Sequence, residues 1–306
     1  MKHAVIYAVF IMLAALFFHC AGHKETVQTP DPELIGKYTR IPYDGPRKKI
    51  AVLDFANATR FGLRRLGDEI SAVLVSELAK SGRFVLLERE KLAAILDQVA
   101  LAQTGLSEGA LEQIRLLDTD YIVTGKVTHY AVNTTGSKGI FTQSKTQRAE
   151  VAADVRLIDV RSGEILLSET GSGVSEKTYE KVLGIGESGG YDESLEQNAF
   201  RKAVVRLTEK LVDALDTYPW RCDVVQIEGQ TLYVNAGSQN NIFPGRQLKV
   251  YRPGKVIRNL SGDVIGQEEE LVTHGEVIHL VGDKSAAIRV VTGEKLELPL
   301  YCKLAR

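Results

Sequence analysis

A chain of 306 residues with a formal net charge of −1 has no global field to attract nucleic acid or an anionic surface. With 44% apolar and 25% charged residues it is not a wholly disordered polymer. Its length suits about two domains. The first segment is set apart from the rest. One lysine, Lys2, precedes an apolar run from Ala4 to Phe18 that is too short to span a bilayer comfortably. This is the pattern of a secretory signal, expected over residues 1–19.

The apolar run ends at His19-Cys20-Ala21. A Cys directly after such a run resembles the lipobox of bacterial lipoproteins, in which the leader is cut before the Cys and the Cys carries the lipid. Cys20 is therefore the expected lipid attachment site. Simple secretion with cleavage near Gly22 is the other reading. Residues 20–47 are polar, contain Pro30, Pro32, Pro42 and Pro46, and read as an extended tether.

From Lys49 to Arg89 the pattern is strand, turn, helix, strand. Ile50, Val52, Leu53 and Phe55 form a run of strand formers, and Asn57, Thr59 and Gly62 break it. Ile70, Val73, Leu74 and Leu78 recur at helical spacing, and Gly82 follows where a helix-ending glycine belongs. Two further helices are expected from Glu90 to Ala102 and after Ser107. Tyr121–Val127 and Val151–Val160 read as strands, and Ser162-Gly163 as a turn. An amphipathic helix is expected from Asn198 to Asp216, stopped by Pro219. This order predicts an α/β sandwich on a mixed sheet over residues 48–218. Residues 128–150 and 169–197 are long, polar and glycine-bearing. Each reads as a hairpin inserted into that unit.

Beyond residue 219 the style changes. Short strands near Val225–Ile227, Leu232–Val234, Gln247–Tyr251, Gly275–Val281 and Ala286–Val290 alternate with glycine turns. This predicts a small β-barrel over residues 219–306. Apart from Cys20 the cysteines are Cys222 and Cys302, one at each end of that region. In an oxidising compartment they would close a long loop worth about 4–5 kcal/mol in the chain-entropy model. Two buried free thiols are the other reading.

Several short motifs spell Ile50-Ala-Val-Leu-Asp-Phe55, Ser81-Gly-Arg-Phe84, Leu86-Leu-Glu-Arg89, Asp120-Tyr-Ile-Val-Thr-Gly125 and Ser162-Gly-Glu-Ile-Leu166. In this order they resemble the CsgG/HfaB family of curli assembly and transport lipoproteins. The resemblance covers roughly residues 47–215. It implies an outer-membrane lipoprotein with a periplasmic α/β unit and no cofactor, partnered by other envelope proteins or secreted subunits. In the channel-forming members two hairpins per subunit build a shared barrel, and a loop after the first strand narrows it. The counterpart of that loop here carries Asn57, Phe61 and Arg64. It is short and basic, with Phe61 as its sole aromatic. Homo-oligomerisation stays open. Leu232-Tyr-Val-Asn-Ala-Gly237, Pro244-Gly245 and Gly262-Asp-Val-Ile-Gly266 resemble the C-terminal part of the flagellar assembly protein T family, which implies protein contacts.

Neither hairpin segment has a continuously apolar face, as a lipid-facing strand requires. The sequence thus favours a non-catalytic tethered protein over an export channel. Gly184-Ile-Gly186-Glu-Ser-Gly189 spells a dinucleotide fingerprint but sits in a polar segment without the strand and helix it needs. No metal set is expected: His274 and His279 fall on opposite strand faces, and Glu268–Glu270 lack calcium-loop spacing. No nucleophile–base constellation is apparent.

Overall fold

A computed structural model describes residues 31–62, 65–87, 118–139, 142–182, 185–186, 190, 192–262 and 264–305. Cys20, Arg64 and the two helices expected between Glu90 and Leu117 lie outside these residues.

The fold is α+β, with one mixed sheet and one closed β-barrel. The sheet is built from β1 (Lys48–Val52), β2 (Ala56–Asn57), β3 (Phe84–Leu86), β4 (Tyr121–Lys138), β5 (Thr142–Asp159), β6 (Ile165–Val182) and β7 (Ile185–Gly186). Its order is β3-β1-β4-β5-β6-β7, with β2 beside β4. β1 runs parallel to both β3 and β4, and β5 runs antiparallel to its neighbours β4 and β6. Parallel β1 and β3 need a crossover, which helix α1 (Arg65–Lys80) supplies. Ile70, Leu74 and Leu78 line its buried face, as the spacing predicts.

A second helix, α2 (Glu193–Thr217), lies across β5 and β6. Asp192 caps it by accepting from the Ser194 amide at 3.0 Å. Leu207, Leu211 and Leu215 of α2 share one core with Val151, Val155 and Leu157 of β5 and with Ile50 and Val123.

The second of the two long segments differs from its expected form. Residues 128–150 are the far half of one continuous hairpin whose strands have 18 residues each. Residues 169–182 do not form a free hairpin. They extend β6, which pairs with β5 along its whole length up to Thr142↔Val182. Residues 193–197 belong to α2. The reason lies in Gly171 and Gly173. A Cβ at Gly173 would meet the Ala199 carbonyl oxygen at 2.0 Å, and one at Gly171 would meet the Leu207 side chain at 2.5 Å. The glycines let helix backbone sit directly on strand backbone.

The barrel comprises β8 (Arg221–Glu228), β9 (Thr231–Val234), β10 (Gln247–Arg258), β11 (Val264–Leu280), β12 (Ala286–Val290) and β13 (Tyr301–Leu304). It closes in the order β10-β11-β12-β9-β8-β13. Leu232, Val234, Leu248, Val250, Val277 and Ile288 fill it.

Sheet and barrel meet through polar groups. Lys49 Nζ donates to the Asn235 carbonyl at 2.5 Å, and Asn235 Nδ2 donates to Asp118 at 2.6 Å. Arg161 stands 3.4 Å from Asp120 and 3.8 Å from Asp223. Residues 32–47, read from the sequence as tether, pack on both parts. Lys37 bonds Glu209 and Asp213 of α2, and Arg47 exchanges backbone and side-chain bonds with Asn240.

Candidate interaction surfaces

Loop 57–62 is rigidified by its own polar groups. Asn57 Oδ1 accepts from the Thr59 amide at 2.9 Å and from its hydroxyl at 2.7 Å, while Asn57 Nδ2 donates to the Phe61 carbonyl at 2.5 Å. Such a local Asn turn is what this residue type does in a loop. It holds Phe61 outward, 57% exposed. Arg64, the remaining loop residue singled out in the sequence, is outside the described residues, so Asn57 and Phe61 alone can be placed.

Phe61 begins an aromatic file. Its ring centroid lies 6.0 Å from that of Tyr130 on β4, and Tyr130 lies 6.1 Å from Phe200 on α2. Both spacings fall in the range of tilted aromatic pairs. The file lines a cleft of about 940 Å³ between α1 and α2, with Val73, Glu196 and Arg201 also on its walls. Tyr130 Oη donates to Glu196 at 2.6 Å. Burial and the neighbouring Glu196 carboxylate push the Tyr130 phenol up from its ordinary value. It is therefore a hydrogen-bond donor and not a base at neutral pH. Below it Glu77, 4% exposed, accepts from Lys80 at 2.7 Å and from Arg201 at 3.2 Å. This carboxylate joins α1 to α2. The walls are thus mixed, with the aromatic file set among charged groups such as Arg65, Glu69, Glu196 and Arg201. Sequence reasoning found Phe61 but missed Tyr130, Phe200 and Glu77, which come together only through the tertiary fold.

The second surface is a ribbon. Only Leu248–Tyr251 of β10 pair with β13, and only Gly275–Leu280 of β11 pair with β12. Beyond Tyr251 the two strands pair with each other alone, as far as Arg258↔Val264. At about 3.3 Å per residue the ribbon reaches roughly 23 Å past the barrel wall. Its end exposes Val256, Ile257, Leu260, Val264 and Ile265. Lys255 and Arg258 stand among them, and Glu268–Glu270 lie further down the stem.

The outward face of β4–β6 is charged. Lys126 stands 3.8 Å from Asp154, Arg148 2.7 Å from Glu150 and 3.6 Å from Glu176, and Thr170 donates to Asp154 at 2.7 Å. Cys222 and Cys302 are buried at directly opposed positions of β8 and β13. Among the described residues no group of three or more His, Cys, Asp or Glu is placed to hold a metal ion.

Comparison with known proteins matches residues 42–242 to the family described as "Curli production assembly/transport component CsgG". The chain belongs to the CsgG family. The matched range takes in the whole sheet, both helices and the start of the barrel. The chain is also similar to a relative from Neisseria meningitidis serogroup B, named "Putative lipoprotein NMB1126/NMB1164". It is 28% identical over 222 residues, covering 69% of this chain and 96% of the relative. Among solved structures, the hypothetical protein CT253 from Chlamydia trachomatis aligns at a TM-score of 0.37 with 15% identity, over 56% of this chain and 97% of the other. Lipoprotein GNA1162 from Neisseria meningitidis aligns at 0.31 with 16% identity, over 56% and 99%. The flagellar-type resemblance of the barrel has no counterpart in the family match, which stops at residue 242.

Proposed function

We propose that this CsgG-family protein is a non-catalytic component of the bacterial envelope, tethered to the outer membrane by a lipid on Cys20, and that it works in assembly or secretion by binding other proteins. The family description and the relative's lipoprotein name support the address. The observation that carries the mode of action is the β10–β11 ribbon, whose apolar end has no partner within the described residues. An exposed apolar cluster on a projecting element is the signature of a contact surface. The Phe61 cleft is a second, concave one. The flagellar-type resemblance of the barrel points the same way.

The test is site-specific photo-crosslinking in the native envelope. A photoreactive residue at Leu260 or Phe61 should give discrete adducts, and one at Val225, exposed on the barrel side, should not. Absence of adducts at both sites would sink the contact reading. Separately, Cys20→Ala should move the protein from the membrane to the soluble envelope fraction.

An oligomeric export channel is the second reading. It is favoured by the 18-residue strands β4, β5 and β6, longer than the roughly 9–11 residues that cross a bilayer. The charged outward face and the helix seated on β6 weigh against it, since charge at the bilayer midplane costs about 2–4 kcal/mol per lysine or arginine. Stable single-channel conductance from purified, detergent-extracted rings would reverse this order.

A further inference from the structure

Cys222 and Cys302 are directly paired across β8 and β13. Two residues along, the Val224 amide donates to the Leu300 carbonyl at 2.9 Å. Antiparallel pairs alternate, so the cysteines occupy a hydrogen-bonded position, where Cα atoms stand about 5.5 Å apart. That separation lies at the most common spacing for a disulfide, roughly 5.5–6 Å. Both side chains belong to the barrel core with Trp220, Val224, Val250 and Leu300.

We infer that Cys222 and Cys302 are joined by a disulfide in the native protein, a covalent seam between the first and last strands of the barrel. The inference rests on the envelope address proposed above, since that compartment supplies the oxidant. The chemistry is thiol–disulfide exchange. One cysteine, as thiolate, attacks the disulfide of a protein thiol oxidant and forms a mixed disulfide. The second cysteine then displaces the oxidant, which leaves as a dithiol. The barrel cysteines lose two electrons and two protons, and the oxidant gains them.

Burial fixes when this happens. Both sulfurs are enclosed in the closed barrel. Burial, with the neighbouring Cys302 thiol, pushes the Cys222 thiol well above its ordinary value, so little thiolate forms in the folded state. Exchange therefore precedes closure. Once closed, the bridge is shielded from small reductants. It is a structural seam and not a redox switch.

The experiment uses the full-length protein from an envelope fraction, quenched with N-ethylmaleimide and then denatured. The expected result is a mass lower by two hydrogens than the dithiol, no maleimide at Cys222 or Cys302 before reduction, and maleimide at both afterwards. Full labelling of both cysteines without reductant overturns the inference. A second arm separates geometry from address: the reduced, denatured chain is refolded in a glutathione buffer. Failure to form the intramolecular bridge there shows that the geometry is wrong. Bridging there with labelled thiols in the cell shows that the address is wrong. Resistance of the folded, oxidised protein to millimolar dithiothreitol is expected, and rapid reduction without unfolding would overturn the structural role.

Discussion

A Cβ on Gly173 would stand 2.0 Å from the carbonyl oxygen of Ala199, closer than any side chain tolerates. Helix α2 therefore rests on β6 only because glycine occupies that position. Gly173→Ala must push the helix off the sheet, as overpacking a core does, and should cost about 1–3 kcal/mol. Gly136 is the control, because a Cβ there meets nothing closer than 3.5 Å. Denaturant midpoints should fall for Gly173→Ala and stay near wild type for Gly136→Ala. Equal effects would mean the helix is not seated as described.

Glu77 carries a similar weight on the other side of the cleft. It is buried between Lys80 and Arg201 and joins the two helices. Hydrogen bonds to charged groups are worth about 1.5–3 kcal/mol, so Glu77→Ala should lower stability by that order. Glu77→Gln keeps an acceptor and should recover part of the loss. A melting temperature indistinguishable from wild type in both variants would remove the clamp.

Asp120 gives a pH signature. It accepts from the Lys49 amide at 2.9 Å and faces Arg161, yet its burial dominates and raises its pKa above the ordinary 3.8. A carboxyl raised on folding holds its proton more tightly in the native state. Its contribution to stability is full below 3.8 and is lost as pH rises through the folded value. Asp120→Asn cannot titrate. The stability of this variant minus that of wild type should therefore increase between about pH 4 and about pH 7. A difference that stays flat, or falls, would contradict the sign.

The contact surfaces predict the opposite separation. Phe61→Ser and Leu260→Ser change exposed side chains and should leave stability within about 0.5 kcal/mol. With the photoreactive residue moved to the exposed neighbours Arg60 and Ile257, crosslinking yield in the envelope should nevertheless fall sharply for the site carrying the change. Loss of stability matching the loss of crosslinking would mark these residues as structural.

Much of the fold is readable where the pattern is local. The apolar run Ile50–Phe55, the helical spacing of Ile70, Leu74 and Leu78, and the glycine turns of the barrel each dictate their own element. Three features are not local. Gly171 and Gly173 read as loop residues because a polar, glycine-bearing stretch looks like a protrusion, whereas their use is close approach to a helix that follows in the sequence. The strand read over Gln247–Tyr251 stops short of Pro253-Gly254. The chain instead passes them with a shift in register and continues to Arg258, which builds the ribbon. The cleft draws Phe61, Tyr130 and Phe200 from three separate elements, and only Phe61 stood out, as the sole aromatic of its loop.

The position of β13 has a consequence for how the protein is made. Tyr301–Leu304 fills the gap between β8 and β10, pairing with both. A chain delivered from its N-terminus therefore carries two unsatisfied strand edges until Tyr301–Leu304 arrives. During that interval the nascent barrel is a template for neighbouring chains. A stop codon or a proteolytic cut before Tyr301 would remove four residues from the ladder and make that interval permanent. Such a truncated protein should be recognised by envelope proteases or recovered as aggregates, although the whole α/β sheet is already synthesised.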